Sequence, residues 1–189
     1  MSPLEIAGFV ISVVAVWLTA RQNIWCWPIG IASVVIYAIV FAEAKLYSDA
    51  GLQVVYVFLQ AYGWYLWQAT GRAVGAQRPV NRITPVAAAS VVLMGIAGTA
   101  GLGYVMAKTD AALPWWDAGT TVFSLVAQWL MARKTLECWL LWIAVDVVYV
   151  GIYLAKDLRL TAVLYMIFIA LACYGSLQWR SDLRKPPAG

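Results

Sequence analysis

Seven long apolar runs dominate this 189-residue sequence, and short segments that hold most of the charges separate them. An α-helix that crosses a bilayer needs about 20 mostly apolar residues. The runs are 4–20, 25–44, 49–68, 83–106, 116–132, 137–154 and 160–179. The sequence therefore predicts an all-α membrane protein with seven transmembrane helices. Pro85 would lie in the first turn of the fourth helix, where its missing N–H is tolerated, and residues 69–82 would form an exposed loop.

Composition supports a membrane protein and excludes other classes. Apolar residues make up 63 % of the chain and charged residues 12 %, about half the charged share of a soluble domain. The net charge of +4 comes from basic residues scattered over short loops, so we expect no nucleic-acid partner. Cys26, Cys138 and Cys173 lie in apolar runs without metal-ligand spacing, which predicts packing roles and no cofactor. Glu5 near the start replaces the basic region of a signal peptide, so we expect the first helix to be retained.

The lysines and arginines predict the orientation of the chain. Nine of the 13 lie on one side of the predicted membrane and four on the other. The first group is Arg21, Arg72, Arg78, Arg82, Arg133, Lys134, Arg180, Arg184 and Lys185, and the second is Lys45, Lys108, Lys156 and Arg159. An excess of Lys and Arg marks the cytoplasmic side. We therefore expect an inner-membrane protein with its N-terminus outside and its C-terminus in the cytoplasm.

The first and last three predicted helices are copies of one unit, offset by 112 positions without a gap. The register aligns Trp17, Arg21, Cys26-Trp27, Tyr37, Tyr62-Gly63 and Trp67 with Trp129, Arg133, Cys138-Trp139, Tyr149, Tyr174-Gly175 and Trp179. A unit of three helices reverses direction, and the fourth helix restores it, so the two copies are parallel. The predicted organisation is a first bundle (1–68), a loop with a linking helix (69–112), a second bundle (113–182) and a cytoplasmic tail (183–189). Transporters are built from such repeats, with the substrate near the bilayer midplane between them.

Enzyme constellations are nearly absent from the sequence. There is no histidine for acid–base chemistry, no Gly-rich phosphate loop and no metal-ligand cluster. The seventh helix also lacks the lysine that a retinal photoreceptor would need. We therefore expect a protein that is not an enzyme.

Polar and aromatic residues instead recur at helical spacing on four of the helices. On the sixth helix, Trp139, Trp142, Asp146 and Tyr149 share one face, and on the third helix Gln53, Tyr56, Gln60 and Trp64 do. On the fifth helix, one face holds Asp117, Thr121, Ser124 and Gln128. On the seventh helix, one face holds Thr161, Tyr165 and Phe168. Four polar faces in one membrane protein predict a shared pore or pocket. For the glutamines, interhelical hydrogen bonding is an equal alternative to ligand binding.

Asp146 is the strongest candidate for a binding residue. It lies about nine residues into its helix, roughly 14 Å deep at 1.5 Å per residue. A charged group at that depth costs about 2.5–3.5 kcal/mol and indicates a functional site. Trp139 and Trp142 on the same face suit a planar cationic ring through cation–π contact. The alternatives are an Asp that only joins neighbouring helices and tryptophans that only pack.

Several motifs resemble the PnuC family of bacterial vitamin transporters. They are Asn23-Ile-Trp-Cys-Trp-Pro-Ile-Gly, Leu46-Tyr-Ser-Asp-Ala-Gly-Leu-Gln, Tyr62-Gly-Trp-Tyr-Leu-Trp, Trp139-x-x-Trp142-x-x-x-Asp146 and Leu160-Thr-Ala-x-Leu-Tyr. The resemblance implies facilitated uptake of a vitamin, first of all nicotinamide riboside, in a SWEET-like homotrimer, with trapping by cytoplasmic phosphorylation. The family's nicotinamide riboside pattern has Asn where this chain has Asp146. Thiamine, also a cationic aromatic, is therefore the alternative substrate, and a SWEET-type sugar uniporter is a further one.

From the faces and the resemblance together we predict a substrate site for a small cationic vitamin, with the lipid bilayer as the surrounding partner. Its residues would be Asp146, Trp142, Trp139, Tyr149, Gln53, Tyr56, Gln60, Asp117, Thr121, Gln128 and Tyr165.

Overall fold

The computed structural model describes residues 3–43, 47–74, 79–109, 113–155 and 159–184. All of the regular secondary structure in these residues is helical. The helices are α1 (Pro3–Ala20), α2 (Cys26–Glu43), α3 (Tyr47–Val74), α4 (Pro85–Met106), α5 (Pro114–Ala132), α6 (Cys138–Ala155) and α7 (Arg159–Asp182). Among them, Pro85–Met106, Cys138–Ala155 and Ala162–Asp182 are long and apolar enough to cross a membrane. The prediction of an all-α membrane protein with seven helices is confirmed.

The predicted helix ends agree with the structure except at the end of α3. That helix continues to Val74, so the prediction of a loop was wrong for residues 69–74. Polar residues mark where an apolar span ends, but the hydrogen bonds within a helix continue into the polar region outside it. Residues 75–78 of the predicted loop lie outside the described residues. At the other end of this connection, Thr84 caps α4 by accepting a hydrogen bond from the backbone N–H of Ala87 at 3.3 Å, and Pro85 takes the first helical position.

Six of the helices form a closed ring. In the described chain α1 packs on α2, α2 on α3, α3 on α5, α5 on α6, α6 on α7, and α7 on α1. Helices on opposite sides of the ring have no close backbone contact within these residues, so side chains occupy the centre of the ring, which we call the lumen. The first bundle (α1–α3) and the second (α5–α7) meet along two seams, α3 with α5 and α1 with α7.

Helix α4 lies outside the ring and packs on α5 alone in the described chain. Two glycines allow close approach: an added Cβ would lie 2.7 Å from the ring of Phe123 at Gly95 and 2.4 Å from the ring of Trp115 at Gly103. Most other side chains of α4 are exposed, Val86 by 78 % and Leu93 by 67 %. Because these side chains are apolar, the exposed surface of α4 suits contact with lipid.

The internal repeat is visible in the backbone of two turns. At the end of α1, the N–H groups of Gln22 and Asn23 donate to the carbonyls of Thr19 and Leu18 at 2.9 Å each. At the end of α5, the equivalent N–H groups of Lys134 and Thr135 donate to Met131 and Leu130 at 2.9 and 3.0 Å. Gln22 and Lys134 have φ values of 55° and 54°. This hydrogen-bond pattern is the helix-ending motif that usually has glycine at the positive φ.

We call the end of the ring that contains these two turns the basic end. It also contains residues 79–84 and the end of α7, and the described cations there are Arg21, Arg82, Arg133, Lys134, Arg180 and Arg184. The main apolar core lies at this end and includes Trp27, Trp67, Trp139 and Trp179. The core is therefore asymmetric along the membrane normal, with dense packing at the basic end.

Residues 79–84 attach to the turn between α5 and α6. Asn81 is the centre of this attachment: its backbone N–H donates to the carbonyl of Lys134 and its carbonyl accepts from Leu136, both at 2.9 Å. Its side chain donates to the carbonyl of Arg133 at 2.8 Å and accepts from the Thr135 hydroxyl at 3.0 Å. The connection into α4 is thereby fixed to the second bundle.

Candidate substrate-binding site

Asp146 lies in the middle of α6, one turn beyond Trp142 and one turn before Tyr149. It is 4 % exposed, Trp142 and Tyr149 are half-buried, and the three share one face of the helix. Val34 occupies the equivalent position in the first bundle. The repeat therefore folds without a carboxylate at this position, and Asp146 is particular to the second bundle.

No partner neutralises Asp146 within the described part of the chain. No side chain donates a hydrogen bond to it there and no cation pairs with it. The lysines and arginines of the described residues lie at helix ends or in connections. A buried charge without a partner is unfavourable by several kcal/mol, which makes Asp146 the residue of this face that most needs a compensating group.

A group of tyrosines surrounds Asp146. The ring of Tyr165 on α7 lies 4.7 Å from that of Tyr149 and 5.3 Å from that of Tyr153, centroid to centroid. The rings of Tyr153 and Tyr165 are stacked, with 25° between their planes. Asp146 is within electrostatic range of Tyr56, Tyr149 and Tyr165. Tyrosines from three helices therefore lie near the carboxylate.

Helix α5, the neighbour of α6 in the ring, contributes further side chains to the site. The hydroxyl groups of Tyr56 on α3 and Ser124 on α5 are hydrogen-bonded across the seam between the two bundles. Tyr149 lies next to Thr120, which is one turn before Ser124. The site thus receives side chains from α3, α5, α6 and α7, the four helices for which the sequence predicts polar faces.

The two predicted tryptophans occupy different surroundings. Trp142 is half-buried, and its indole N–H has no hydrogen-bond partner among the described residues. Trp139 is 1 % exposed and belongs to the apolar core at the basic end, with its ring 5.3 Å from that of Trp179. Seven residues separate Trp139 from Asp146, roughly 10 Å along the helix. The structure therefore brings Trp142, and not Trp139, next to the carboxylate.

The remaining predicted residues lie at different levels of the lumen. Asp117, in the first turn of α5, is within electrostatic range of Tyr149. Gln53 and Thr121 are half-buried, and Gln128 is buried nearer the basic end of α5. Gln60 is buried against α2, where a Cβ added to Gly30 would lie 2.0 Å from its side-chain oxygen. Gln60 therefore contacts the backbone of its own bundle. Of the other helix-face residues, Phe168 packs on Tyr165 with ring centroids 5.7 Å apart, while the side chain of Thr161 lies outside the described residues.

The sequence analysis missed Thr120, Tyr153 and Gly30. Thr120 lies next to Thr121, three residues after Asp117 and four before Ser124, so the same helical spacing could have selected it. Tyr153 is one turn beyond Tyr149 and could have been found by extending the α6 face. Gly30 is the repeat equivalent of Trp142. Only its contact with Gln60 shows that it makes room for that side chain.

A possible metal site and a cavity between α5 and α6 were compared with this constellation in the described chain. Within the described residues, no three His, Cys, Asp or Glu side chains are placed to hold a metal ion. A cavity of about 370 Å³ lies between α5 and α6, lined among others by Trp116, Phe123, Leu141, Ala144 and Val148. Its α6 residues are on a different face from Asp146, and its lining is apolar. Thr120 is the residue of the candidate site that also lines this cavity, so the two adjoin at α5.

Comparisons with known proteins find membrane transporters of vitamins and related compounds. Residues 2–181 match the family model described as "nicotinamide mononucleotide transporter". The nicotinamide riboside transporter PnuC of Escherichia coli is 27 % identical over 210 residues, covering 98 % of this chain and 88 % of that protein. The riboflavin/roseoflavin transporter RibM of Streptomyces davaonensis is also 27 % identical, covering 93 % and 83 %.

A solved structure shows the same fold. The crystal structure of the vitamin B3 transporter PnuC superimposes with a TM-score of 0.79 at 24 % identity, covering 96 % of this chain and 82 % of that one. The likeness extends over both bundles and α4. Because the family model matches residues 2–181 of this 189-residue chain, the chain belongs to the nicotinamide mononucleotide transporter family, a family of transporters.

Proposed function

We propose that this protein carries out facilitated uptake of nicotinamide riboside across the bacterial inner membrane. Phosphorylation of the vitamin in the cytoplasm would trap it there. The relatives from Escherichia coli and Neisseria mucosa, named as nicotinamide riboside transporters and 27 % and 28 % identical to this chain, support the substrate. The two repeats around one lumen support alternating access, with the bundles rocking about a central site.

The observation that carries the proposal is the unpaired carboxylate of Asp146 in the lumen. Nicotinamide riboside has a permanent positive charge on an aromatic ring. A carboxylate beside Trp142 and three tyrosines would bind such a ring through charge pairing together with cation–π contact. The indole N–H of Trp142 could donate to a ribose hydroxyl or to the carboxamide.

Thiamine is the second candidate, because its thiazolium ring is also a permanent cation and Asp146 would pair with it equally well. Riboflavin gains support from the relative RibM. However, its ring system is neutral and would leave the buried carboxylate without a counter-ion. A sugar has the same shortcoming and would make less use of the aromatic groups, so we place a SWEET-type sugar uniporter last.

The transport mode follows from the same electrostatics. A carboxylate that faces a permanent cation stays ionised, because the opposite charge favours its charged form. Asp146 would then act as a counter-ion and not as a proton carrier, which makes the protein an uncoupled uniporter. We further propose that the basic end faces the cytoplasm, by the excess of Lys and Arg, and that the protein assembles as a homotrimer like the family it resembles.

Counterflow in proteoliposomes tests the substrate. Vesicles loaded with one unlabelled vitamin are diluted into labelled nicotinamide riboside, and transient accumulation of label reports exchange. We expect loading with nicotinamide riboside to give the strongest signal, thiamine a weaker one, and riboflavin or glucose a signal equal to that of protein-free vesicles. Exchange supported by riboflavin but not by nicotinamide riboside would contradict the proposal.

A further inference from the structure

Two pairs of equivalent residues touch each other across the lumen, and both pairs lie at the basic end of the described chain. Gln22 and Lys134 are 112 positions apart, as are Trp67 and Trp179, so each pair occupies one position of the repeat twice. The ammonium of Lys134 donates to the side-chain oxygen of Gln22 at 2.8 Å. The rings of Trp67 and Trp179 are 6.3 Å apart. Residues related by a two-fold axis can touch only on that axis, so these pairs close the lumen there.

Further contacts around these pairs also join the two bundles. Lys134 lies over the ring of Trp67, 4.3 Å from its centroid, and the amide of Gln22 donates to Asp182 at 2.5 Å. The Trp67 indole N–H donates to the carbonyl of Ala132 at 3.1 Å, and that of Trp179 donates to the carbonyl of Thr19 at 3.3 Å. Each contact runs from α1, from the turn after α1 or from α3 to the second bundle. All of them are hydrogen bonds or cation–π contacts, which water can replace when the bundles separate.

The backbone at the axis is strained. Gln22 and Lys134 are the two non-glycine residues with positive φ in the described chain, a conformation that is unfavourable for residues with a Cβ. Lys134 is also buried, with 1 % of its surface exposed, although lysine is almost never fully buried. Strain and a buried cation at one point indicate a functional element and not a passive turn.

We propose that Gln22, Lys134, Trp67 and Trp179 form the gate through which substrate leaves at the basic end, with the Lys134 ammonium as its central lock. The structure holds this gate closed, and transport requires that these contacts break. Because Asn81 fixes the turn of Lys134 to residues 79–84, opening moves the first bundle away from a body made of the second bundle and α4. The proposal rests on the transport function proposed above.

A neighbouring residue offers a matched control. Arg133 is one position before Lys134 and lies over a tryptophan ring, Trp129, at 4.1 Å from the centroid. Trp129 belongs to the same bundle, and Arg133 is exposed. Replacing either cation with methionine removes one charge and one cation–π contact from the same turn. Only Lys134→Met removes a contact across the axis.

The test measures access to the lumen from the basic end. Ser124→Cys, in a background with alanine at the three natural cysteine positions, places a thiol in the middle of the lumen. A membrane-impermeant maleimide is then added on the basic side. We expect Lys134→Met to raise the labelling rate about ten-fold, Lys134→Arg to leave it closer to the parent, and Arg133→Met to change it less than two-fold. An unchanged rate in folded Lys134→Met would overturn the gate.

A cross-link provides a second test that does not depend on a weakened gate. In the background without natural cysteines, Gln22→Cys and Lys134→Cys are joined by a short, reducible bis-methanethiosulfonate, with Ser124→Cys added for the labelling assay and Ser124 kept for the exchange assay. We expect the cross-link to stop both labelling of the lumen thiol and vitamin exchange, with vitamin binding from the opposite side preserved and exchange restored by reductant. Joining Asn81→Cys with Thr135→Cys, which are at the same end but not across the axis, should leave exchange intact. Labelling that persists in the cross-linked gate would refute the proposal. If no form of the protein binds a vitamin, the proposed transport function is wrong. The labelling rates would still show whether these residues close the basic end.

Discussion

The indole ring of Trp139 lies directly against the backbone of α7 at Gly175, where an added Cβ would be 2.5 Å from the ring. The equivalent pair in the first bundle, Trp27 and Gly63, has the same arrangement, with an added Cβ 2.2 Å from the ring. In each repeat, the glycine of the aligned Tyr-Gly pair therefore leaves the space that the tryptophan ring fills. The packing of Trp139 on Gly175 is structural. It places Trp139 in the core at the basic end and not in the candidate substrate site.

The first prediction concerns the packing of these tryptophan rings on glycine. We expect Gly175→Ala to lower stability by about 1–3 kcal/mol, because the ring of Trp139 has to move in a packed core. Gly151→Ala on α6 is the control: a Cβ there meets no atom within 4 Å, so its effect should be close to zero. Thermal unfolding of the purified proteins in detergent measures both. Equal melting temperatures for the two variants would contradict the packing account.

The second prediction concerns the carboxylate. Asp146→Asn keeps the volume and removes the charge, so binding of nicotinamide riboside should weaken by about 1.5–3 kcal/mol, the scale of hydrogen bonds to charged groups. Calorimetry on the purified protein measures the affinity. Glu137→Gln is the control, because this carboxylate lies at the basic end, accepts from the N–H of Ile83 and faces Arg82. Unchanged affinity in Asp146→Asn would move the substrate site elsewhere.

The third prediction separates the two tryptophans of α6. Trp142→Ala should weaken vitamin binding by about 1–3 kcal/mol through lost stacking and leave the melting temperature nearly unchanged. Trp139→Phe should do the opposite, because its ring fills the core beside Gly175 and Trp179. Affinity and melting temperature are measured on the same preparations. If Trp139→Phe reduces binding more than Trp142→Ala does, Trp139 belongs to the site after all.

Much of the fold could be predicted from the sequence because a bilayer permits few solutions. Apolar runs of spanning length located all seven helices, and the repeat at 112 positions predicted the parallel bundles that the ring shows. The end of α3 was missed, since hydropathy marks where the membrane ends and not where helical hydrogen bonding ends. Thr70 and Arg72 are polar and still helical.

The candidate site was predictable at Asp146 and less so around it. Helical spacing put Trp139 and Trp142 on one face of α6, but spacing cannot show that Gly175 on another helix draws one of them into the core. The contact between Gln22 and Lys134 could not be predicted for a similar reason. Their alignment showed that they are equivalent, and only the ring of helices shows that they meet.

The fourth prediction concerns topology. With the basic end in the cytoplasm, a reporter enzyme that is active only there should work when fused after Gly189 and fail when fused near Ala112. A reporter that is active only outside the cytoplasm should give the inverse pattern. The reason is the excess of Lys and Arg at the basic end. Activity of the second reporter at Gly189 would reverse the direction of the proposed gate.

The final prediction tests the transport mode, and with it the claim that Asp146 serves as a counter-ion. Labelled nicotinamide riboside is given to proteoliposomes under an imposed pH or sodium gradient. The membrane potential is held at zero because the substrate is itself a cation. We expect the label to equilibrate and exchange without rising above the outside concentration, since an ionised carboxylate facing a permanent cation carries no proton across. Accumulation driven by either gradient under that clamp would contradict the uniporter and assign Asp146 a coupling role.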